Sequence, residues 1–172
     1  PLPANLAING SVSVDGEASG SLSDFEALSL STQITSQQGD LYMLGCTRRF
    51  GSIVIRKSTD GGFTWTFPLD AETGLLFQGG YMLEAPNYHC APTPVITHNG
   101  RIFRAFEDNV TAHWPTGFKA MVISAPEGAD LLKAENWIMS NKLGFDANKV
   151  PEDWGDHGPG FLEGNMVVDP DG

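Results

Sequence analysis

One pattern recurs along this chain and limits its fold more than any other feature. Ile34-Thr35-Ser36-Gln37-Gln38-Gly39-Asp40-Leu41-Tyr42 resembles Val95-Ile96-Thr97-His98-Asn99-Gly100-Arg101-Ile102-Phe103, and a third copy opens at Met166-Val167-Val168-Asp169-Pro170-Asp171-Gly172. Each copy is an apolar strand and a polar turn closed by glycine, followed in the first two by a second strand, which is β-hairpin chemistry. The turn glycines stand at 39, 100 and 172, spaced by 61 and 72 residues. That exceeds the ~40–45 residues of the smallest four-stranded propeller units, so long loops are expected. A third strand follows each hairpin, at residues 52–57 and 119–124, and each leads on to a tryptophan, Trp65 or Trp137. Each unit reads as four strands, two hairpins in series.

No segment sustains a helical period for several turns; the best, residues 129–135, offers about two. Four-stranded units cannot bury both faces alone and stack radially. The expected fold is therefore all-β, a β-propeller with one blade at residues 29–68, a second at 86–141 and the start of a third at 162–172. Residues 1–28 are small and polar, with Gly10, Gly16 and Gly20, and read as a lead-in holding at most one edge strand around Val12 and Val14. A chain of this length does not close a ring by itself. Its open blade edges invite self-association.

Charge removes several function classes. Lys and Arg total 10 against 21 Asp and Glu, a formal net charge of −11, and no basic run exists to meet phosphates. Nucleic acid and anionic membrane surfaces are excluded as partners on that ground. The apolar stretches fall far short of the ~18 residues of a bilayer span. Ten Phe, four Trp and three Tyr argue for a packed core rather than disorder. Cys46 and Cys90 make no disulfide framework; two buried thiols are preferred over a single bridge. The opening Pro1-Leu2-Pro3 lacks the charged start and apolar run of a signal peptide, which says nothing about export.

Ser58-Thr59-Asp60-Gly61-Gly62-Phe63-Thr64-Trp65 matches the Asp-box, Ser-x-Asp-x-Gly-x-x-Trp, of the sialidase-like propellers at all four positions. Asp60 can fold its carboxylate onto the turn's own amides, Gly62 supplies a permissive dihedral, and Trp65 is expected to pack between blades. Ser124 and Trp137 resemble a degenerate copy around an insertion. Together with Tyr88-His89-Cys90-Ala91-Pro92-Thr93-Pro94-Val95, Gly100-Arg101-Ile102-Phe103-Arg104-Ala105-Phe106-Glu107-Asp108 and Leu162-Glu163-Gly164-Asn165, residues 30–172 resemble bacterial sialidase-like, BNR-repeat glycoside hydrolases. The resemblance implies a six-bladed propeller of which this chain is an N-terminal portion. It also implies a carbohydrate substrate, a secreted or periplasmic location, and a structural role for Ser58, Asp60, Gly62 and Trp65. Leu30-Ser31-Thr32-Gln33-Ile34 carries no Arg and Phe50-Gly51-Ser52-Ile53 no carboxylate, so sialic acid itself is not the leading substrate.

Propeller geometry sorts the loops. Hairpin turns and the Asp-box share one face, while the connections from second to third strand and from blade to blade share the other. The long polar loops at residues 46–52, 67–92, 106–118 and 141–164 belong to that second face, where a scaffold alone would not need them. Its candidate chemistry is Arg48, Arg49, Glu84, His89, Glu107, Asp108, His113, Glu163 and Asn165. Glycoside hydrolysis needs two carboxyl groups flanking the scissile bond. Glu107, ending one strand, and Glu163, opening the next innermost strand, are the expected pair, with His89 as proton-transfer or sugar-binding group. Arg48, Arg49, Asp108, Asn165 and Glu84 are candidate substrate contacts. The plainer readings stay open: Glu107 and Asp108 capping a strand and pairing with Arg101 or Arg104, Glu163 capping backbone, His89 a satisfied polar side chain. Trp114 and Trp154 are stacking platforms or packing anchors. Asp153-Trp154-Gly155-Asp156-His157 holds three potential metal ligands, too few nitrogen and sulfur donors for zinc. Neither a metal nor another cofactor is expected. The rival function is a non-catalytic propeller that binds glycans or proteins through the same mouth, or an inactive fragment of a larger enzyme.

Overall fold

The computed structural model describes Thr32–Gln33 and residues 39–48, 50–81, 84–113, 116–154 and 160–170. The lead-in expected over 1–28 lies outside them. Among the described residues the regular structure is antiparallel β-sheet, with short 3-10 turns that include Ala134–Asn136, Ala147–Lys149 and Glu152–Trp154. No helix among them is long and apolar enough to cross a membrane.

The first sheet is a meander of β1 (Thr32–Gln33), β2 (Leu41–Cys46), β3 (Ile53–Ser58) and β4 (Leu75–Phe77), paired in that order. β2 and β3 pair over their full length, from Leu41 opposite Ser58 to Cys46 opposite Ile53. Ile53, Val54 and Ile55 are all buried, so the start of β3 is covered on both faces. β4 falls at 75–77, past residue 68, because the turn at residues 58–65 is followed by another tight turn at 70–75 before the chain returns. That return needs Gly74: its φ is +112°, and a Cβ there would stand 2.2 Å from the Ile55 carbonyl oxygen.

The second sheet is built around two long strands, β7 (Arg101–Asn109) and β8 (Phe118–Pro126), in register from Arg101 opposite Pro126 to Asn109 opposite Phe118. The turn into β7 is Asn99-Gly100, with φ of 46° and 71°, the two left-handed positions of a tight hairpin. β5 (Tyr88–His89) and β6 (Ile96–His98) both pair with β7, one at each end. Pro92 and Pro94, which have no N–H to give to a ladder, stand between them. β9 (Ile138–Met139) and β10 (Leu143–Gly144) share the edge of β8 in the same way. This sheet, too, is a four-line meander whose outer lines are broken.

The two sheets enclose one core, with Leu44, Cys46, Ile53 and Ile55 from the first and Cys90, Ile102, Phe106, Met121, Ile123 and Trp137 from the second. They are also tied by backbone: Gly51 and Tyr88 exchange two hydrogen bonds of 3.0 and 3.1 Å. A third hairpin strand was expected from residue 162, but the described residues 160–170 contain no strand. A strand requires a partner ladder, and this segment instead crosses the end of the second sheet, where the Phe161 amide donates to the Phe118 carbonyl at 3.4 Å.

Candidate functional site

Register brings the first site residues together. β5 pairs with the far end of β7 so that His89 faces Glu107 and Tyr88 faces Asp108. Nδ1 of His89 lies 3.2 Å from Oε2 of Glu107. The other carboxylate oxygen, Oε1, accepts the Gly164 amide at 2.9 Å, across 57 residues of chain. Glu107 is 1% exposed, and the side chain of His89 is 12% exposed. Both carboxylate oxygens are thus engaged inside the protein, while an edge of the imidazole reaches the surface. The His89 ring packs against two phenylalanines that also touch each other: its centroid is 6.1 Å from Phe50 and 5.5 Å, edge-on, from Phe118, and the two phenylalanine rings are 6.2 Å apart. Phe50 lies in the loop between β2 and β3 and Phe118 at the start of β8, so one loop and the ends of β5, β7 and β8 build this corner.

Glu163 comes to the same place by its backbone. Its φ is 60°, a left-handed conformation rarely adopted outside glycine, asparagine and aspartate. That turn delivers the next amide, Gly164, to Glu107, and the Glu163 residue itself is exposed. Glu107 and the Glu163 turn therefore converge, but through a carboxylate and an amide rather than through two facing carboxylates.

Asp108 has a different assignment. It is 3% exposed; Oδ1 accepts the Asn87 amide at 2.8 Å and Oδ2 pairs with Nζ of Lys142 at 2.7 Å. That ammonium also lies 5.2 Å from the ring centroid of Tyr88. Burial, then the charge of Asp108, pushes the Tyr88 phenol upward. The alternative left open, pairing of Asp108 with Arg101 or Arg104, gives way to Lys142: Arg101 donates to Ser124 at 3.0 Å and Arg104 turns into the core. Trp137 is 5% exposed and donates from Nε1 to the Leu131 carbonyl at 2.9 Å.

Other sequence candidates are spread out. Arg48 is exposed in the bend after β2. Glu84 is exposed, with its amide donating to the Tyr81 carbonyl at 2.9 Å. Asn165 is exposed and its Oδ1 accepts the Met166 amide at 2.7 Å, an interaction within its own turn. His113 is exposed in the loop from β7 to β8. Arg49, Trp114, Asp156 and His157 lie outside the described residues. Among the described residues no group of three His, Cys, Asp or Glu is placed to hold a metal ion.

The turn from Ser58 to Trp65 is held from within. Oγ of Ser58 donates to Oδ1 of Asp60 at 2.7 Å and accepts the Gly62 amide at 2.9 Å. Asp60 accepts the amide and the hydroxyl of Thr64 at 2.9 and 2.6 Å. Those donors, Thr64 first, lower its carboxyl to about 2. Gly62 has φ +96°, and Nε1 of Trp65 donates to its carbonyl at 3.0 Å, so the indole closes its own turn.

One buried constellation escaped sequence reasoning. Arg104 is fully buried and donates to the carbonyls of Leu44 and, at 3.1 Å, Ala91. Cys46 and Cys90, buried and not bridged, lie beside it. A hydrogen bond with Cys90, then burial, pushes the Cys46 thiol well above its ordinary value. The available signal was the alternation Ile102, Arg104, Phe106, which puts the arginine on the inward face of β7.

No protein-family profile, no curated protein and no solved structure matches this chain.

Proposed function

We propose that this chain is a sialidase-like β-propeller protein that hydrolyses glycosidic bonds, with its site at the end where His89, Glu107 and the Glu163 turn converge. The observation that carries the proposal is the hydrogen bond from Gly164 to Glu107. It gathers an exposed carboxylate, a part-exposed imidazole and a buried carboxylate from distant segments into one loop-lined corner. A left-handed, non-glycine residue at that point fits a backbone arranged for a task other than packing.

Glycosidic cleavage passes through an oxocarbenium-like state that needs negative charge beside the sugar ring and a group that moves a proton. Glu163, being exposed, is the carboxylate that meets the sugar. His89 is the proton-transfer group. Glu107 stands behind both, since neither of its oxygens faces solvent. This reading gives the pair Glu107 and Glu163 unequal tasks. A carbohydrate partner and a location outside the cytoplasm go with the same reading.

The test is release of sugar from a panel of neutral and acidic glycosides by the wild-type chain, with Glu163→Gln and His89→Ala alongside. Turnover that both changes reduce supports hydrolysis. A second reading, a non-catalytic propeller that binds glycans, draws on the engagement of both Glu107 oxygens, which leaves one exposed carboxylate where hydrolysis commonly uses two. Glycan binding without turnover in the wild type, surviving Glu163→Gln, would favour it.

A further inference from the structure

We propose that Glu107 is a positioning residue with two tasks: one oxygen sets the tautomer of His89, and the other fixes the turn that presents Glu163. This rests on the proposed hydrolytic reading for its consequence, but its physical content can be tested without any substrate.

An ionised carboxylate only accepts hydrogen bonds. The Gly164 amide is a donor and already uses Oε1. At Oε2 the imidazole must therefore donate, which puts its proton on Nδ1 and makes Nε2 the acceptor nitrogen of the neutral ring. Phe50 and Phe118 pack against the same ring. The same carboxylate holds the Gly164 amide, so losing it releases the left-handed turn at Glu163. One buried side chain thereby couples the orientation of two groups that come from segments far apart in sequence.

Glutamine separates the two tasks. In Glu107→Gln the side-chain oxygen can still accept from Gly164, but the amide nitrogen is a donor and demands an acceptor at Nδ1. Glu107→Ala removes both contacts. Nitrogen-15 spectra of the His89 imidazole, at a pH where it is neutral, should show the proton on Nδ1 in the wild type and on Nε2 in Glu107→Gln. Amide exchange at Gly164 should stay slow in Glu107→Gln and quicken about tenfold or more in Glu107→Ala. A proton on Nε2 in the wild type overturns the proposal, and that measurement needs no folded variant. An unchanged tautomer in Glu107→Gln also overturns it. Failure of the hydrolytic reading would appear separately, as absent turnover with these spectral results intact.

Discussion

The guanidinium of Arg104, on the second sheet, donates to the backbone carbonyl of Leu44 on the first. Its other terminal nitrogen reaches the Ala91 carbonyl at 3.1 Å, so a single side chain spans the seam between the sheets. The guanidinium suits this place because its planar fork can serve two acceptors at once. Cation–π contact with Phe106, 4.7 Å from the guanidinium carbon to the ring centroid, adds to the arrangement.

Replacing this arginine should therefore cost stability through two stranded carbonyls as well as lost packing. Arg104→Met should destabilise the chain by about 2–5 kcal/mol, read from the midpoint of urea unfolding. Arg104→Lys should also be destabilising, since one ammonium does not reproduce the fork. A midpoint for Arg104→Met within ~0.5 kcal/mol of wild type would show that the seam does not depend on it.

Asp60 predicts a pH dependence with a definite sign. Its folded carboxyl is lowered to about 2, whereas an unfolded aspartate titrates near ~3.9. A depressed carboxyl contributes stability that is fully present above its unfolded value and is lost as pH falls through the folded value. The stability difference between wild type and Asp60→Asn should thus be constant above about pH 5 and shrink steadily towards pH 2. A difference independent of pH over that window would mean that the turn is not held by the ionised carboxylate.

The paired thiols predict silence. Cys46 and Cys90 are 0% and 1% exposed, and the raised Cys46 thiol supplies little thiolate. An aromatic disulfide reagent should leave both unlabelled in the folded chain and label both once it unfolds. The native rate should be slower by about a thousandfold or more, the scale set by ordinary folding stability. Labelling at the rate of a small free thiol would contradict the buried placement.

Much of the sheet framework was legible because local chemistry and the final pairing agree. Asn99-Gly100 demands a tight hairpin, and alternation over residues 101–106 supplies the strand that follows. Ser58, Asp60, Gly62 and Trp65 satisfy each other within one turn, so that feature needs no distant partner. The fourth lines of both sheets, 75–77 and the pair 138–139 and 143–144, are too short to announce themselves and exist because a neighbour offers a ladder. Arg104 was missed for a physical reason: a lone arginine usually faces water, and the carbonyls of Leu44 and Ala91 that it meets inside come from outside its own strand. At the site, the proximity of His89 and Glu107 follows from the pairing of β5 with β7, whereas residue 163 arrives in a segment without strand structure, held by the Gly164 amide. The division of labour among them depends on burial, which spacing alone does not report.

The most direct measurement is turnover of a glycoside by Glu163→Gln relative to wild type at equal folded concentration. The account predicts sugar release by the wild-type chain and a loss of about 10²–10⁴ in rate on this substitution, with glycan binding retained. Wild-type rates in Glu163→Gln, or no release by the wild type from any member of the panel, would contradict it.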